Sequence, residues 1–223
     1  MEYKKIMTDK ELQARALDIV NNYKTCYLYG GTGQLITNEI IAQKAKQLPS
    51  WYTTARITAL KKLVGSYYGF DCVNLIKAIL WGWAKGIMGI YNSNTVPDTN
   101  ANGFIELCEN VSTNMKDIKP MELIWFDGHV GLYLGEGKCV ECSPSLNKVA
   151  ITNLSYQKKW CKHGELPWIE RSVEKKRVLK LTSPYMRGED VKRLQSLIDV
   201  TTDGVYGPGT DKKVQSILEA LGR

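Results

Sequence analysis

Phe70-Asp71-Cys72-Val73-Asn74-Leu75-Ile76 decides the fold, because it sets a cysteine where an extended approach turns into helical spacing. From Cys72 onward, Leu75, Ile76, Ile79, Leu80 and Trp83 recur three and four residues apart. That spacing predicts a helix with a buried stripe, closed by Gly82, Gly86 and Gly89. Well downstream, Gly128-His129-Val130-Gly131-Leu132-Tyr133 alternates as a short strand does. A thiol nucleophile needs an imidazole that can take and return its proton. The chain has only two histidines, so candidates for that base are few. A nucleophile at a helix start and a base on a strand is the expected arrangement. Orphan N–H groups, the positive dipole end and a nearby histidine would lower a thiol pKa of about 8.5 by several units. The competing reading of Cys72 is a small buried hydrophobe.

Hairpin geometry supplies a third residue. Gly135-Glu136-Gly137 marks a turn between strands 129–134 and 138–142. Pairing Leu134 with Lys138 sets Gly131 opposite Glu141 and His129 opposite Ser143. His129 and Glu141 then share a face, one diagonal step apart. A carboxylate there can fix the imidazole tautomer and stabilise the imidazolium. A bulge at the turn would shift this register by one. On spacing alone, a solvated strand charge is an equal reading of Glu141.

Outward from these motifs, residues 9–25 read as an amphipathic helix with Leu12, Ala16, Ile19 and Val20 on one face. A tyrosine-rich stretch, Tyr27-Leu28-Tyr29-Gly30-Gly31, precedes a polar, helical insertion over 36–64, and 91–103 is a polar loop. Strands are predicted at 123–126, 129–134, 138–142 and 149–152, separated by Gly, Pro and Asn turns. The class is α+β, helices followed by an antiparallel sheet. The charged, apolar-poor run 171–177 marks a boundary between domains at 1–172 and 178–223. The second reads as helical, either leaning on the first or forming a minimal three-helix unit.

At 223 residues, with 43% apolar and 24% charged side chains, the chain can bury a core in one or two domains. No apolar run approaches a membrane span, and the start turns polar where a signal peptide would need its apolar stretch. The expectation is a protein made without its own export signal. A net charge of +7 suits any polyanion, nucleic acid, anionic lipid or cell-wall polymer. The absence of zinc-finger, aromatic nucleic-acid or long basic motifs argues against nucleic acid. The six cysteines read as reduced and mostly structural. Cys139-x-x-Cys142 followed by Cys161-x-His163 has the outline of a zinc site. However, a strand sends Cys139 and Cys142 to opposite faces, so no metal is expected. Gly30-Gly31-Thr32-Gly33 lacks the Lys-Ser/Thr of a phosphate loop. The calcium-like run from Asp199 has Thr210 where a closing Glu belongs.

Phe70-Asp71-Cys72 and Gly128-His129-Val130-Gly131 resemble the nucleophile and histidine motifs of the NlpC-type cell-wall peptidases, a papain-like family. The family's third polar residue lies about twelve positions past its histidine, at Glu141 here. It is more often His, and the residue after the Cys is usually Ser, where this chain has Val73. The stretch from Tyr27 to Gly31 looks like the tyrosine–diglycine motif. The resemblance implies Tyr27 beside the oxyanion and substrate, and Asp71 against the free amine of a stem peptide. Arg187-Gly188-Glu189-Asp190-Val191 and Asp203-Gly204-Val205-Tyr206-Gly207-Pro208 look like the three-helix peptidoglycan-binding domain. Together they imply a cofactor-free peptidoglycan hydrolase acting on the stem peptide, of the phage or prophage endolysin kind, released to the wall by a holin. An N-acetylmuramoyl-L-alanine amidase, an acyltransferase with the same triad, and a catalytically inactive wall-binding protein are the alternatives.

Overall fold

A computed structural model describes residues 3–172 and 177–222, and the chain divides after Ser172 into two units. The first opens with β1 (Met7–Thr8), α1 (Asp9–Asn22), β2 (Thr25–Tyr27) and β3 (Thr32–Leu35). Next come α2 (Asn38–Gln47), α3 (Thr54–Lys61), β4 (Tyr68–Phe70), α4 (Cys72–Leu80) and α5 (Ala101–Ile105). The strands β5 (Glu109–Ser112), β6 (Leu123–Phe126), β7 (His129–Gly135) and β8 (Lys138–Ser143) follow. The unit closes with β9 (Lys148–Asn153), β10 (Lys162–Glu165) and β11 (Ile169–Glu170).

Thr8 starts α1 through a capping box: its hydroxyl accepts the Glu11 N–H at 3.2 Å, and the Glu11 carboxylate accepts the Thr8 N–H at 2.7 Å. Leu12, Ala16 and Ile19 are buried. The helix stops at Asn22, short of 25, because Tyr23 is already extended toward β2.

Six antiparallel strands run in the order β5-β10-β6-β7-β8-β9. The four expected strands form one side of this sheet, β6 to β9. The outer pair was not anticipated, because Glu109-Asn110-Val111-Ser112 and Lys162-His163-Gly164-Glu165 are too polar for a strand pattern. Val130, Leu132, Val140 and Cys142 share one core with Leu75, Ile76 and Ile79 of α4. Each such apolar side chain contributes about 1.5–3 kcal/mol by burial. The helix is more deeply enclosed than a stripe predicts: all nine of its residues are buried, Lys77 at 2% exposure included.

The β7–β8 register settles the hairpin. Leu132 pairs with Val140 and Tyr133 with Cys139, as expected, but Gly135 rather than Leu134 pairs with Lys138. A bulge therefore sits between Tyr133 and Gly135, leaving a two-residue turn with Glu136 at φ 50° and Gly137 at φ 71°. Because the irregularity lies at the turn, the strand body keeps the register that puts His129 and Glu141 on one face.

The insertion is helical, as α2 and α3. It makes a second small core of Leu28, Ile36, Ile41, Tyr52 and Leu60, next to the three-stranded sheet β2-β4-β3.

The second unit has β12 (Met186–Arg187), α6 (Glu189–Leu197), β13 (Val205–Tyr206) and α7 (Pro208–Ala220). Its described residues carry two helices and a small antiparallel ladder in place of the three helices expected. Thr182-Ser183-Pro184 interrupts helical spacing, and Gly188 at φ 150° starts α6 abruptly. Gln195, 1% exposed, ties the unit together: its amide donates to Asp203 Oδ1, Val205 O and Thr210 Oγ1, and accepts the Gly204 N–H. Asp203 is thus a turn-closing acceptor. No helix among the described residues is long and apolar enough to cross a membrane.

Candidate active site

Cys72 is the first residue of α4, and Asp71 caps that helix. The Asp71 Oδ1 accepts the Asn74 N–H at 2.8 Å, while Oδ2 takes the Gly30 N–H at 2.8 Å and the Asn74 amide at 2.7 Å. One side chain thereby starts the helix and pins the Tyr29–Gly30 loop beside the cysteine. Burial pushes the Asp71 carboxyl up, opposed by the Asn74 and Gly30 N–H groups and by Lys77.

The Cys72 thiol is 5% exposed, and Sγ–H points to Gly128 O at 3.9 Å. Backbone N–H groups of Val130, Val73 and Cys72 itself also reach the sulfur. The thiol therefore lies against the backbone on either side of His129. Burial first, and the Asp71 charge second, push the thiol up to about 12, against the pull of those N–H groups. The sequence expectation of a depressed thiol is thus reversed in the resting protein, because desolvation outweighs the helix terminus. Cys72 keeps its proton until a base removes it.

His129 opens β7, tilted against Phe126 at 5.1 Å and Trp160 at 5.5 Å between ring centroids. Its Nε2 lies 2.6 Å from Glu141 Oε2, and Nδ1 has no hydrogen-bond partner among the described residues. With Nε2–H donated to the carboxylate, Nδ1 is the nitrogen left to accept a proton. Glu141 is fully buried and takes two further hydrogen bonds, from Thr152 Oγ1 and Gln157 Nε2, each at 2.6 Å. Burial alone would raise its pKa, but the bonds from His129, Thr152 and Gln157 prevail and hold it below the ordinary value. Its carboxylate is aimed at the imidazole, and these bonds favour its ionised form.

Two cavities adjoin at Tyr27, Tyr29 and Gly128. One, of about 490 Å³, is lined by Asp71, Cys72, Asn74, Lys77 and Asp98. The other, of about 600 Å³, is lined by His129, Trp51, Phe126, Asp127 and Gln157. Tyr27 borders both, and its hydroxyl is pushed up by burial and by the nearby Cys72 and Asp71. The structure so brings Tyr27, Asp71, Cys72 and His129 to one cleft, with Glu141 behind the histidine.

Other parts of the site gave no sequence signal. Lys77 donates to Thr99 O at 2.7 Å and pairs with Asp98, fixing the far wall of the first cavity. Asn102 is the larger omission. Its Oδ1 accepts the Gly128 N–H at 2.8 Å and the Trp125 indole N–H at 3.1 Å, while Nδ2 donates to Asp127 at 2.7 Å. It clamps the turn that delivers both the Gly128 carbonyl and His129. Asn102→Ala is expected to lower turnover about 10- to 100-fold by misplacing the imidazole. Its stability should fall by about 1–3 kcal/mol, as three exposed hydrogen bonds are lost. Steady-state kinetics beside thermal melts checks both.

The zinc outline dissolves in the structure. Cys142 Sγ donates to Phe70 O at 3.2 Å, and Cys139 Sγ meets Thr152 Oγ1 at 3.2 Å, on opposite faces of β8. His163 is engaged by Glu122 at 2.6 Å and Asn114 O at 3.1 Å. No group of three or more metal-ligating side chains occurs among the described residues.

Comparison with known proteins finds no matching family and no matching curated protein. Among solved structures, the peptidoglycan hydrolase RipB from Mycobacterium tuberculosis superposes with TM-score 0.44 at 19% identity, over 73% of this chain and 65% of that one. This chain therefore spans less than two thirds of RipB's length. A p60 domain of an M. avium subspecies paratuberculosis antigen gives TM-score 0.41 and 13% identity, over 71% and 93%. RipD of Mycobacterium tuberculosis, a non-catalytic NlpC/p60 domain protein adapted to peptidoglycan binding, gives 0.41 and 15%, over 71% and 96%. Similarity of this size assigns neither family nor activity, and the chemistry of the cleft must carry both.

Proposed function

We propose that the chain is an NlpC-type, papain-like cysteine peptidase of the bacterial cell wall, cleaving an amide of the peptidoglycan stem peptide. The observation that carries this reading is the buried His129–Glu141 pair, 2.6 Å apart, with His129 at the start of β7 against the Cys72 thiol and Glu141 on the neighbouring β8. In the resting site the thiol is neutral, so His129 Nδ1 takes the Cys72 proton as sulfur attacks the carbonyl carbon. The oxyanion is held by the Cys72 backbone N–H, with the Tyr27 hydroxyl alongside. Glu141 stabilises the imidazolium, which then protonates the departing amine. Water, deprotonated by His129, hydrolyses the thioester and frees the sulfur. Asp71 and the first cavity take the acyl half and its free amine.

The second unit is proposed to bind peptidoglycan, holding the catalytic unit at an immobile polymer, an endolysin-type arrangement. Removing 178–223 is expected to slow clearing of insoluble walls about tenfold or more while leaving cleavage of a soluble stem peptide unchanged.

The neutral Cys72 thiol favours one other reading, a wall-binding protein with a silent hydrolase fold. Turbidity loss of purified walls by wild type and by Cys72→Ala separates the two. Clearing by wild type alone supports the hydrolase; equal clearing, or none on walls of several types, refutes it. Mass spectrometry of the digest assigns the bond: new amino termini within stems for an endopeptidase, free lactyl groups for an amidase.

A further inference from the structure

The insertion between the tyrosine loop and the nucleophile reaches the cleft. Tyr52 OH donates to Tyr29 O at 2.7 Å, and Lys44 Nζ donates to Gly30 O at 2.5 Å. Trp51 packs against Tyr29 with centroids 4.8 Å apart and the rings tilted by 35°, and Trp51, Leu48 and Ser50 line the 600 Å³ cavity. A general acid must touch the nitrogen it protonates. Of the two cavities, one is lined by Cys72 and this one by His129, so it faces the half of the substrate that leaves as an amine.

Its charge is one-sided. Asp127 lines it, with Oδ1 taking the Asn102 amide and Oδ2 lacking a partner among the described residues. Among the described residues, no lysine or arginine lines it. Arg56 lies over the Trp51 ring at 4.3 Å and Lys159 over Phe126 at 5.8 Å, but neither side chain lines the cavity. Tyr29 remains 41% exposed. An ammonium entering here meets aromatic side chains and a carboxylate; a carboxylate meets Asp127 and finds no cation in the lining.

We propose that the insertion's aromatic shelf is the leaving-half subsite, and that it selects a side chain ending in a lone amine over one that also bears a carboxylate. This rests on the hydrolase reading. The test uses two synthetic stem tetrapeptides alike except at the third residue, L-lysine in one and diaminopimelate in the other. Cleavage is measured with wild type, and binding with wild type and the inert Cys72→Ala protein. The lysine peptide is expected to be favoured about tenfold in kcat/KM and in Kd. Asp127→Asn should reduce that preference to about threefold or less, and Trp51→Ala should weaken binding of both peptides. Equal or reversed preference, a preference unchanged by Asp127→Asn, or binding of both peptides unweakened by Trp51→Ala overturns the proposal. Selective binding without cleavage of either peptide leaves the subsite standing and rejects the hydrolase reading. Neither binding nor cleavage overturns the subsite.

Discussion

Glu141→Gln is expected to cost about 10³- to 10⁴-fold in kcat while leaving the protein folded. The carboxylate accepts three hydrogen bonds at 2.6 Å in a site with no exposure. A glutamine preserves the volume but replaces one acceptor oxygen by a donating NH₂. The Thr152 hydroxyl bonds Oε1 and can rotate to accept, so the NH₂ turns toward Thr152 while the amide oxygen keeps the bonds from His129 and Gln157. The imidazole then keeps its place and tautomer but loses the anion that stabilises the imidazolium formed when it takes the Cys72 proton. The stability loss should be about 1–3 kcal/mol, the scale of one charge-assisted hydrogen bond. Glu141→Ala, by contrast, strands three buried donors and should cost about 3–5 kcal/mol. Comparing turnover and urea midpoints of the two variants separates the effects. A glutamine variant with near-native turnover would remove Glu141 from the proton path.

Alkaline pH is expected to unfold the protein steeply. Cys26 and Cys72 are pushed up to about 12 and Cys139 to about 11, from 9.0, in each case first by burial. A raised folded-state pKa means that the native state holds its proton after the unfolded chain has lost it. The stabilisation is complete below about pH 9 and drains away as pH climbs through the folded values. Each thiol contributes a slope of about 1.4 kcal/mol per pH unit in that window, so three together give about 4. A domain holding about 5–15 kcal/mol should lose its fold between about pH 10 and 12. Circular dichroism across pH 8–12 reads the transition. Cys26→Ala, removing one titrating thiol, should make it shallower; an unchanged slope would show that other groups govern it.

The two motifs that hold the cleft were legible because their signals are local. The three- and four-residue spacing from Leu75 to Leu80 and the alternation around Val130 and Leu132 do not depend on the rest of the chain. Glu141 was legible at one remove, through register. The turn differs from the one assumed, yet the bulge falls on the turn side of Tyr133, where it cannot move the pairing beyond. Illegible parts depend on distant sequence. Asn102 lies 26 residues from the Gly128 N–H it binds, and Gln157 lies 16 from Glu141. The β5–β10 pair has no apolar alternation, and its register shifts beside Gly164, where a Cβ would come within 2.7 Å of Cys108 Cβ. The protonation state of Cys72 was misjudged for a related reason: dipole and histidine are local cues, whereas desolvation is set by the whole core around the thiol.

The central claim is that the Cys72 sulfur becomes acylated by the stem peptide. Wild type and His129→Ala would be mixed with a soluble stem peptide, quenched in acid within seconds, digested and weighed by mass spectrometry. The expected result is a hydroxylamine-labile acyl adduct on the Cys72 peptide of wild type, absent or much slower in His129→Ala. Product formed with no adduct at Cys72, or an adduct on another cysteine such as exposed Cys161, would contradict it.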